Sequence, residues 1–153
     1  MPISFGNSNE NYIDDKLNFE GIDEMTLHIE HDKVSSKVGP IDLDFYDHAT
    51  KNDIMYINGT EMKKILRESF NTNPRIFVIN DSYDKNKPMT AKQYYRLMED
   101  VFNKPVTQNS IRKAYINHWY DPELKLTMVD KKIIASYMRN SVLMAESIYR
   151  KID

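Results

Sequence analysis

Two segments in the C-terminal third of the chain carry side chains suited to phosphate chemistry. The first contains Asn109 and Arg112, and the second contains Asn140 and, nine residues later, Tyr149. A guanidinium group binds phosphate oxygens through paired hydrogen bonds, an amide can hydrogen-bond to them, and a tyrosine oxygen can act as a nucleophile. Taken singly, such an arginine is usually a surface or salt-bridging residue and such a tyrosine is structural, so the functional interpretation depends on their spacing.

That spacing resembles the catalytic domain of the tyrosine recombinase (phage-integrase) family. Arg112 matches the arginine and Asn109 the histidine of the family's H-x-x-R motif. Residues Met138–Ser141 resemble its (L/M)-(G/R)-H-S motif, with Asn140 at the histidine position. Tyr149 then occupies the place of the nucleophile. The match is close over about residues 105–151 and loose over residues 25–80.

The resemblance implies a partner, duplex DNA, and a set of residue roles. In the family, the tyrosine forms a 3′-phosphotyrosine without metal or cofactor, while fixed arginines stabilise the charged phosphate. A hairpin lysine protonates the leaving 5′-oxygen, and Lys33, before Pro40, is the match for it here. Further contacts with backbone phosphates are implied for four basic residues near the motifs: Lys113, Arg139, Arg150 and Lys151.

The sequence also departs from the family pattern. The family places its first arginine upstream of the hairpin, but the first arginine of this chain is Arg67. Either the chain was cut just downstream of that arginine or the site has lost it. Asn109 and Asn140 cannot transfer a proton near neutral pH, and each lost transition-state contact costs on the order of 10²–10³-fold in rate. We therefore expect a DNA-binding domain with a degenerate active site, inactive alone.

Two other hypotheses remain open at this stage. The recombinase fold could have been recruited as a structural or protein-interaction module, for example in a viral particle, with self-association or viral protein partners. The Asn-, Lys-, Ile- and Tyr-rich composition, typical of an AT-rich genome, favours such a viral or mobile-element origin. Alternatively, a live strand-transferring enzyme would need an arginine supplied by upstream sequence or another subunit.

Hydrophobic periodicity predicts the elements that position these residues. Alternation of apolar and polar residues predicts a β-hairpin over residues 25–46. A helical period begins at Thr60, and a short apolar run predicts a strand over Ile76–Ile79. Further helices are predicted to begin at Thr90, Gln108, Thr127 and about Ser141. The fold class predicted is α+β and mostly helical, with a small N-terminal sheet before a helical bundle. Residues 1–20 are expected to be flexible and residues 21–153 to form a single domain.

Charge and composition limit the classes of protein further. The chain has 153 residues and no cysteine, which excludes disulfides and thiolate chemistry. It has neither a secretory signal nor an apolar run of the roughly 20 residues that span a bilayer, so we expect a soluble, intracellular protein without a membrane partner. The balance of charge is −8 over residues 1–60, +2 over residues 61–103 and +4 over residues 104–153. A basic C-terminal third is compatible with an anion-binding face.

Overall fold

The computed structural model describes residues 2–6, 10–17, 20–31 and 35–149, with the backbone alone at residues 35–36 and 148–149. Strands and helices together make an α+β protein, as the sequence predicts. The described chain divides into two compact units. The first unit comprises residues 1–48 and 57–93, and the second unit comprises residues 49–56 and 94–153.

A four-stranded sheet organises the first unit. The predicted hairpin is confirmed as the antiparallel pair β3 and β4, with Leu27 opposite Leu43. Its tip contains one helical turn, α1 (Ser35–Val38). Strand β1 is parallel to β2, and β2 is antiparallel to β3. The strands lie in the order β1 (Ser4–Phe5), β2 (Tyr12–Asp15), β3 (Met25–Ile29) and β4 (Ile41–Asp44).

Strands β1 and β2 lie in the segment 1–20, which the composition predicts to be flexible. Their order comes from contacts distant in sequence rather than from local periodicity. The Asn11 side chain accepts hydrogen bonds from the backbone N–H groups of Glu30 (2.8 Å) and His31 (3.0 Å) and donates one to the His31 carbonyl (3.1 Å). A buried amide that satisfies three backbone groups fixes this segment against the end of β3.

Helix α2 (Gly59–Thr72) confirms the helical period predicted after Thr60, but its N-cap is different. The Asn58 side chain accepts the hydrogen bond from the Glu61 N–H (3.0 Å) and so caps the helix. The Thr60 hydroxyl instead donates to Asp47 (2.8 Å). A two-residue error of this kind arises because Asn and Thr are both good N-caps, and only tertiary contacts decide which of them caps the helix.

The core of the first unit lies between the sheet and α2. Leu66 and Phe70 of the helix pack against Ile13 and Met25 of the sheet, and all four are buried. The strand predicted over Ile76–Ile79 does not form as a regular element. Among the described residues, this segment forms an isolated bridge from Phe77 to Ser4. The Phe5 N–H donates to the Ile76 carbonyl (2.9 Å) and the Val78 N–H to the Ile3 carbonyl (2.8 Å).

The second unit is helical apart from a short hairpin. Strands β5 (Asp47–Ala49) and β6 (Met55–Asn58) form that hairpin, and the boundary between the units falls within it. The helices that follow are α3 (Ala91–Phe102), α4 (Gln108–Trp119), α5 (Met128–Tyr137) and α6 (Val142–Met144). The first turn of α3 belongs to the first unit. A 3₁₀ turn spans Pro122–Leu124, and a π-helical turn spans Ala145–Tyr149.

Helix starts in this unit agree with the sequence. Thr127 accepts a hydrogen bond from the Asp130 N–H (3.2 Å), and Ser141 accepts one from the Met144 N–H (3.1 Å). The buried apolar residues of the unit come from β6, α4, α5, the π-helical turn and the ends of α4: Tyr56, Val106, Ile116, Trp119, Tyr120, Ile134, Ala135 and Ala145. In the part of the chain that the structure describes, no helix has both the length and the apolar composition that crossing a membrane requires.

Arg67 joins α2 to the sheet through two carboxylates. Its guanidinium donates two hydrogen bonds to Asp15 (3.0 and 2.7 Å) and a third to Asp23 (2.6 Å). Lys63, which is buried, contacts the other oxygen of Asp23 at 3.2 Å. These hydrogen bonds from Arg67 and Lys63 hold the pKa of Asp23 below its usual value. The first arginine of the chain is thus committed to the structure of the first unit.

We expect Arg67→Leu to lower the free energy of unfolding by about 2–3 kcal/mol, because it leaves the half-buried Asp15 carboxylate without its paired donor. Urea denaturation followed by far-ultraviolet circular dichroism measures the change. Lys64→Leu, at an exposed position of the same helix, is the matched control and should change stability by less than about 0.5 kcal/mol. Equal effects of the two substitutions would contradict a special role for Arg67.

His28 lies between two carboxylates on the solvent face of the sheet. Its Nδ1 is 2.6 Å from Asp42 and its Nε2 is 3.1 Å from Glu30, while its ring stacks on Tyr12 at 4.8 Å. A neutral imidazole can donate only one of these hydrogen bonds. The hydrogen bond to Asp42, opposed by burial and aided by Glu30, raises the pKa of His28 above 6.5.

This raised pKa predicts a stability that depends on pH. The contribution of His28 is fully present below its unfolded pKa of 6.5 and is lost as pH rises through the higher folded pKa. Between pH 6 and 9, the melting temperature of the native chain should therefore fall relative to that of His28→Gln, which carries no titrating ring. Parallel melting curves across this range would contradict the charged state assigned to His28.

Candidate functional site

A groove of about 430 Å³ lies on the second unit. Three of its lining residues, Gln108, Ile111 and Arg112, come from the first two turns of α4. The others are Tyr94, Tyr115 and Met138, and this set of six defines the α4 groove. Its lining is mostly apolar and aromatic, with one cation, Arg112, and one amide, Gln108. Because it lies toward the N-terminal end of α4, the helix dipole adds partial positive charge there.

The Asp130 carboxylate sets the geometry behind the groove. One of its oxygens accepts hydrogen bonds from the Thr127 hydroxyl (2.7 Å) and N–H (2.9 Å), which completes the capping box of α5. The other oxygen accepts a hydrogen bond from the Tyr56 hydroxyl (3.1 Å). Burial raises the pKa of Asp130, but these hydrogen bonds outweigh it and the net pKa is lowered. An ionised Asp130 therefore links β6 to α5.

Tyr115 links the same network to the groove. Its hydroxyl donates to the backbone carbonyl of Tyr56, and its ring packs 6.1 Å from Trp119. Burial raises the pKa of Tyr115 to about 12, so the phenol stays neutral at physiological pH. A side chain held at its hydroxyl and along its ring cannot turn away from the groove. Tyr115 therefore forms a rigid wall beside Arg112, which lies one turn earlier on α4 and is half-buried.

The segment resembling the recombinase H-S motif forms the turn between α5 and α6. Arg139 adopts a left-handed backbone conformation, with φ of 54°. Its N–H donates to Ser136, and the Asn140 N–H donates to Ala135, each at 3.0 Å. This is a Schellman motif, which usually carries glycine at the left-handed position. Ser141 then caps α6, so the backbone of the motif has a clear structural role.

The hydrogen bonds of that turn involve the backbone of Asn140 but not its side-chain amide. Both polar atoms of its amide are buried, and neither finds a hydrogen-bond partner among the residues that the structure describes. A buried amide without partners costs about 1–3 kcal/mol. Asn140 follows Met138, which lines the α4 groove, by two residues. A polar group kept at such a cost at a motif position is a candidate for function.

The two segments of the resemblance are neighbours in the fold. Helix α4, which carries Asn109 and Arg112, contacts the turn Ala145–Tyr149. That turn is also fixed to α5 by an ion pair of 2.7 Å between Glu146 and Lys131. The backbone of Tyr149 ends the π-helical turn, while its side chain lies outside the described residues.

The other predicted residues divide into two groups. Asn109 and Lys113 are exposed on α4, and Arg139 is half-buried at the turn after α5. Neither Asn109 nor Lys113 lines the α4 groove. The remaining three residues lie outside the described part of the chain: Lys33, Arg150 and Lys151.

Of the six residues that line the α4 groove, sequence reasoning identifies only Arg112 as a site residue. It places Tyr94 and Tyr115 on apolar helix faces and Met138 within the motif Met138–Ser141. Tyr94 and Met138 are 18 and 26 residues from Arg112 along the chain, so no local spacing connects them with it. The signal that could have pointed to them is the presence of amphipathic helices on both sides of α4.

Comparisons with known protein families, with curated proteins and with solved structures find no match to this chain. The recombinase resemblance is carried by the motif residues alone. Among the described residues, no group of histidine and carboxylate side chains is arranged to hold a metal ion.

The buried Asn140 side-chain amide leads to a prediction about the stability of the chain. Replacing Asn140 by leucine, of similar size and without polar atoms, should raise the free energy of unfolding by about 1 kcal/mol, because it removes an uncompensated desolvation cost. Thermal or urea unfolding followed by Trp119 fluorescence measures the change. Asn117→Leu, at an exposed position of α4, is the control and should leave stability unchanged within about 0.5 kcal/mol. A destabilised Asn140→Leu chain would show that the amide has a structural partner.

Proposed function

We propose that this protein binds DNA through its second unit, as a degenerate relative of the tyrosine recombinases. In this proposal Arg112 contacts a backbone phosphate at the α4 groove, and Arg139 and Lys113 flank it. Tyr149 occupies the ancestral position of the nucleophile. The observation that carries the proposal is the adjacency of α4, with Arg112, and the turn that ends at Tyr149.

The distribution of charge supports an anion as the partner of the second unit. Its residues include 11 basic and 8 acidic side chains, whereas the first unit has 10 basic and 15 acidic side chains. The second unit therefore has a net charge of +3 and the first unit a net charge of −5. The positive potential that attracts a phosphate backbone is concentrated on the second unit, which carries the groove.

The chemistry of the motif residues favours binding over strand cleavage. A pentacoordinate phosphate needs several fixed cations, and the described lining of the α4 groove provides one, Arg112. Arg67 cannot supply another while it is paired with Asp15 and Asp23 in the first unit. Amides at the two histidine positions, Asn109 and Asn140, cannot transfer a proton to or from a phosphate oxygen.

A protein-interaction module is the second candidate, and one observation favours it. None of the twelve residues of α3 is buried, although the helix is amphipathic. Four of its large apolar side chains are exposed: Tyr95, Leu97, Val101 and Phe102. Such a surface is typical of a contact with another protein.

Fluorescence anisotropy of labelled duplex DNA across a salt series tests the proposal. We expect binding that weakens steeply with salt, and an affinity at least about tenfold lower in Arg112→Ala, because a charge-assisted hydrogen bond is lost. The salt slope of log K should decrease by about 1 in this variant.

The control for charge is Lys132→Ala, an exposed lysine of α5, which should lower the affinity much less. Absence of binding to both duplex and single-stranded DNA at low salt would contradict the DNA-binding proposal and favour the protein-interaction candidate. A denaturation-resistant adduct that Tyr149→Phe abolishes would instead establish retained cleavage activity.

A further inference from the structure

The α4 groove is poorly suited to a phosphate backbone alone. A duplex exposes sugars and charged phosphates and keeps the faces of its bases stacked inside. Proteins bind that surface with rows of cations and hydrogen-bond donors. Among the described residues, the groove instead presents Tyr94, Ile111, Tyr115 and Met138 beside one cation, Arg112. A ligand that fills it must have both an apolar, flat part and an anionic part.

We propose that the α4 groove holds one unpaired nucleotide of single-stranded DNA, with its base against the rings of Tyr94 and Tyr115 and its phosphate at Arg112. This inference rests on the proposed function and specifies which form of DNA the site takes. Aromatic platforms beside cations are the usual means of binding single strands, because every base has a face that can stack.

The fixed position of Tyr115 supports a stacking role. Its hydroxyl is held by the Tyr56 carbonyl, and Tyr56 is itself held by Asp130. The ring is therefore ordered before a ligand arrives, and binding does not incur the cost of immobilising it. Since burial raises the pKa of Tyr115 to about 12, the ring carries no negative charge that would repel a phosphate.

The positions of the two polar residues match the two ends of a nucleotide. Arg112 is half-buried, so its aliphatic stem can lie along the apolar lining while the guanidinium reaches the phosphate. Gln108, one turn earlier, carries an amide that can both donate to and accept from a base edge. The volume of about 430 Å³ falls in the range of small-ligand sites.

The test measures the affinity of the full chain for four labelled ligands of equal length. These are a dT strand, the same strand paired with dA, an abasic DNA strand and an oligouridine RNA strand. We expect the dT strand to bind at least about tenfold more tightly than the duplex or the abasic strand, because one stacked base contributes about that factor. Tyr94→Leu should lower affinity for the dT strand about tenfold. Tyr94 is chosen because Tyr115 also supports the fold.

Tyr83→Leu, at a tyrosine that is 94% exposed, is the matched control and should bind like the native chain. Equal affinity for the dT and abasic strands, or no effect of Tyr94→Leu, would overturn the inference. Duplex binding that depends on Arg112 would then still support the proposed function. Failure of all four ligands to bind would reject both. Tighter binding of the oligouridine RNA strand than of the dT strand would overturn the assignment to DNA.

Discussion

The second unit depends on the ionised Asp130 carboxylate and on the two groups that share it. One oxygen caps α5 through Thr127, and the other accepts a hydrogen bond from Tyr56. Tyr56 in turn accepts a hydrogen bond from Tyr115 at its carbonyl. Burial raises the pKa of Tyr56 to about 12, and its hydrogen bond to Asp130 acts in the same direction. Tyr56 and Tyr115 are therefore neutral donors, and Asp130 is a charged acceptor. Their hydrogen bonds fix β6, α4 and α5 together.

The consequence of this network is a defined direction for α4. Trp119 packs against Tyr56 and Tyr115, with ring centres 6.1 Å from each, on the buried side of the helix. That packing leaves Ile111 and Arg112 on the side of the groove. The position of the functional candidate is therefore a result of core packing and hydrogen bonding around Tyr56, rather than of local contacts of Arg112.

The helices were predictable because their periodicity and caps are local. The sequence pattern predicts helices that begin at Thr127 and at about Ser141, where the structure has N-caps, and it predicts the hairpin that β3 and β4 form. Burial was less predictable, since Met62 and Ile65 share the apolar face of α2 yet are exposed. A period identifies a face but does not determine how much of it another element covers.

Features that depend on distant partners could not be predicted from sequence. Strands β1 and β2 have little apolar character, and their order relies on Asn11 bonding to residues 19 and 20 positions away. The turn after α5 lacks the glycine that usually marks a Schellman motif, because Arg139 occupies the left-handed position. The sequence therefore suggested a catalytic motif at a place where the backbone alone already requires a specialised turn.

This turn shows which part of the motif needs an explanation beyond structure. A left-handed arginine costs on the order of 1–2 kcal/mol relative to glycine, and a buried amide without a partner adds to that cost. Ser141 repays part of it by capping α6, but no contact of the described residues compensates the Asn140 amide. Backbone geometry and capping therefore account for Arg139 and Ser141, whereas the described contacts do not account for the Asn140 amide.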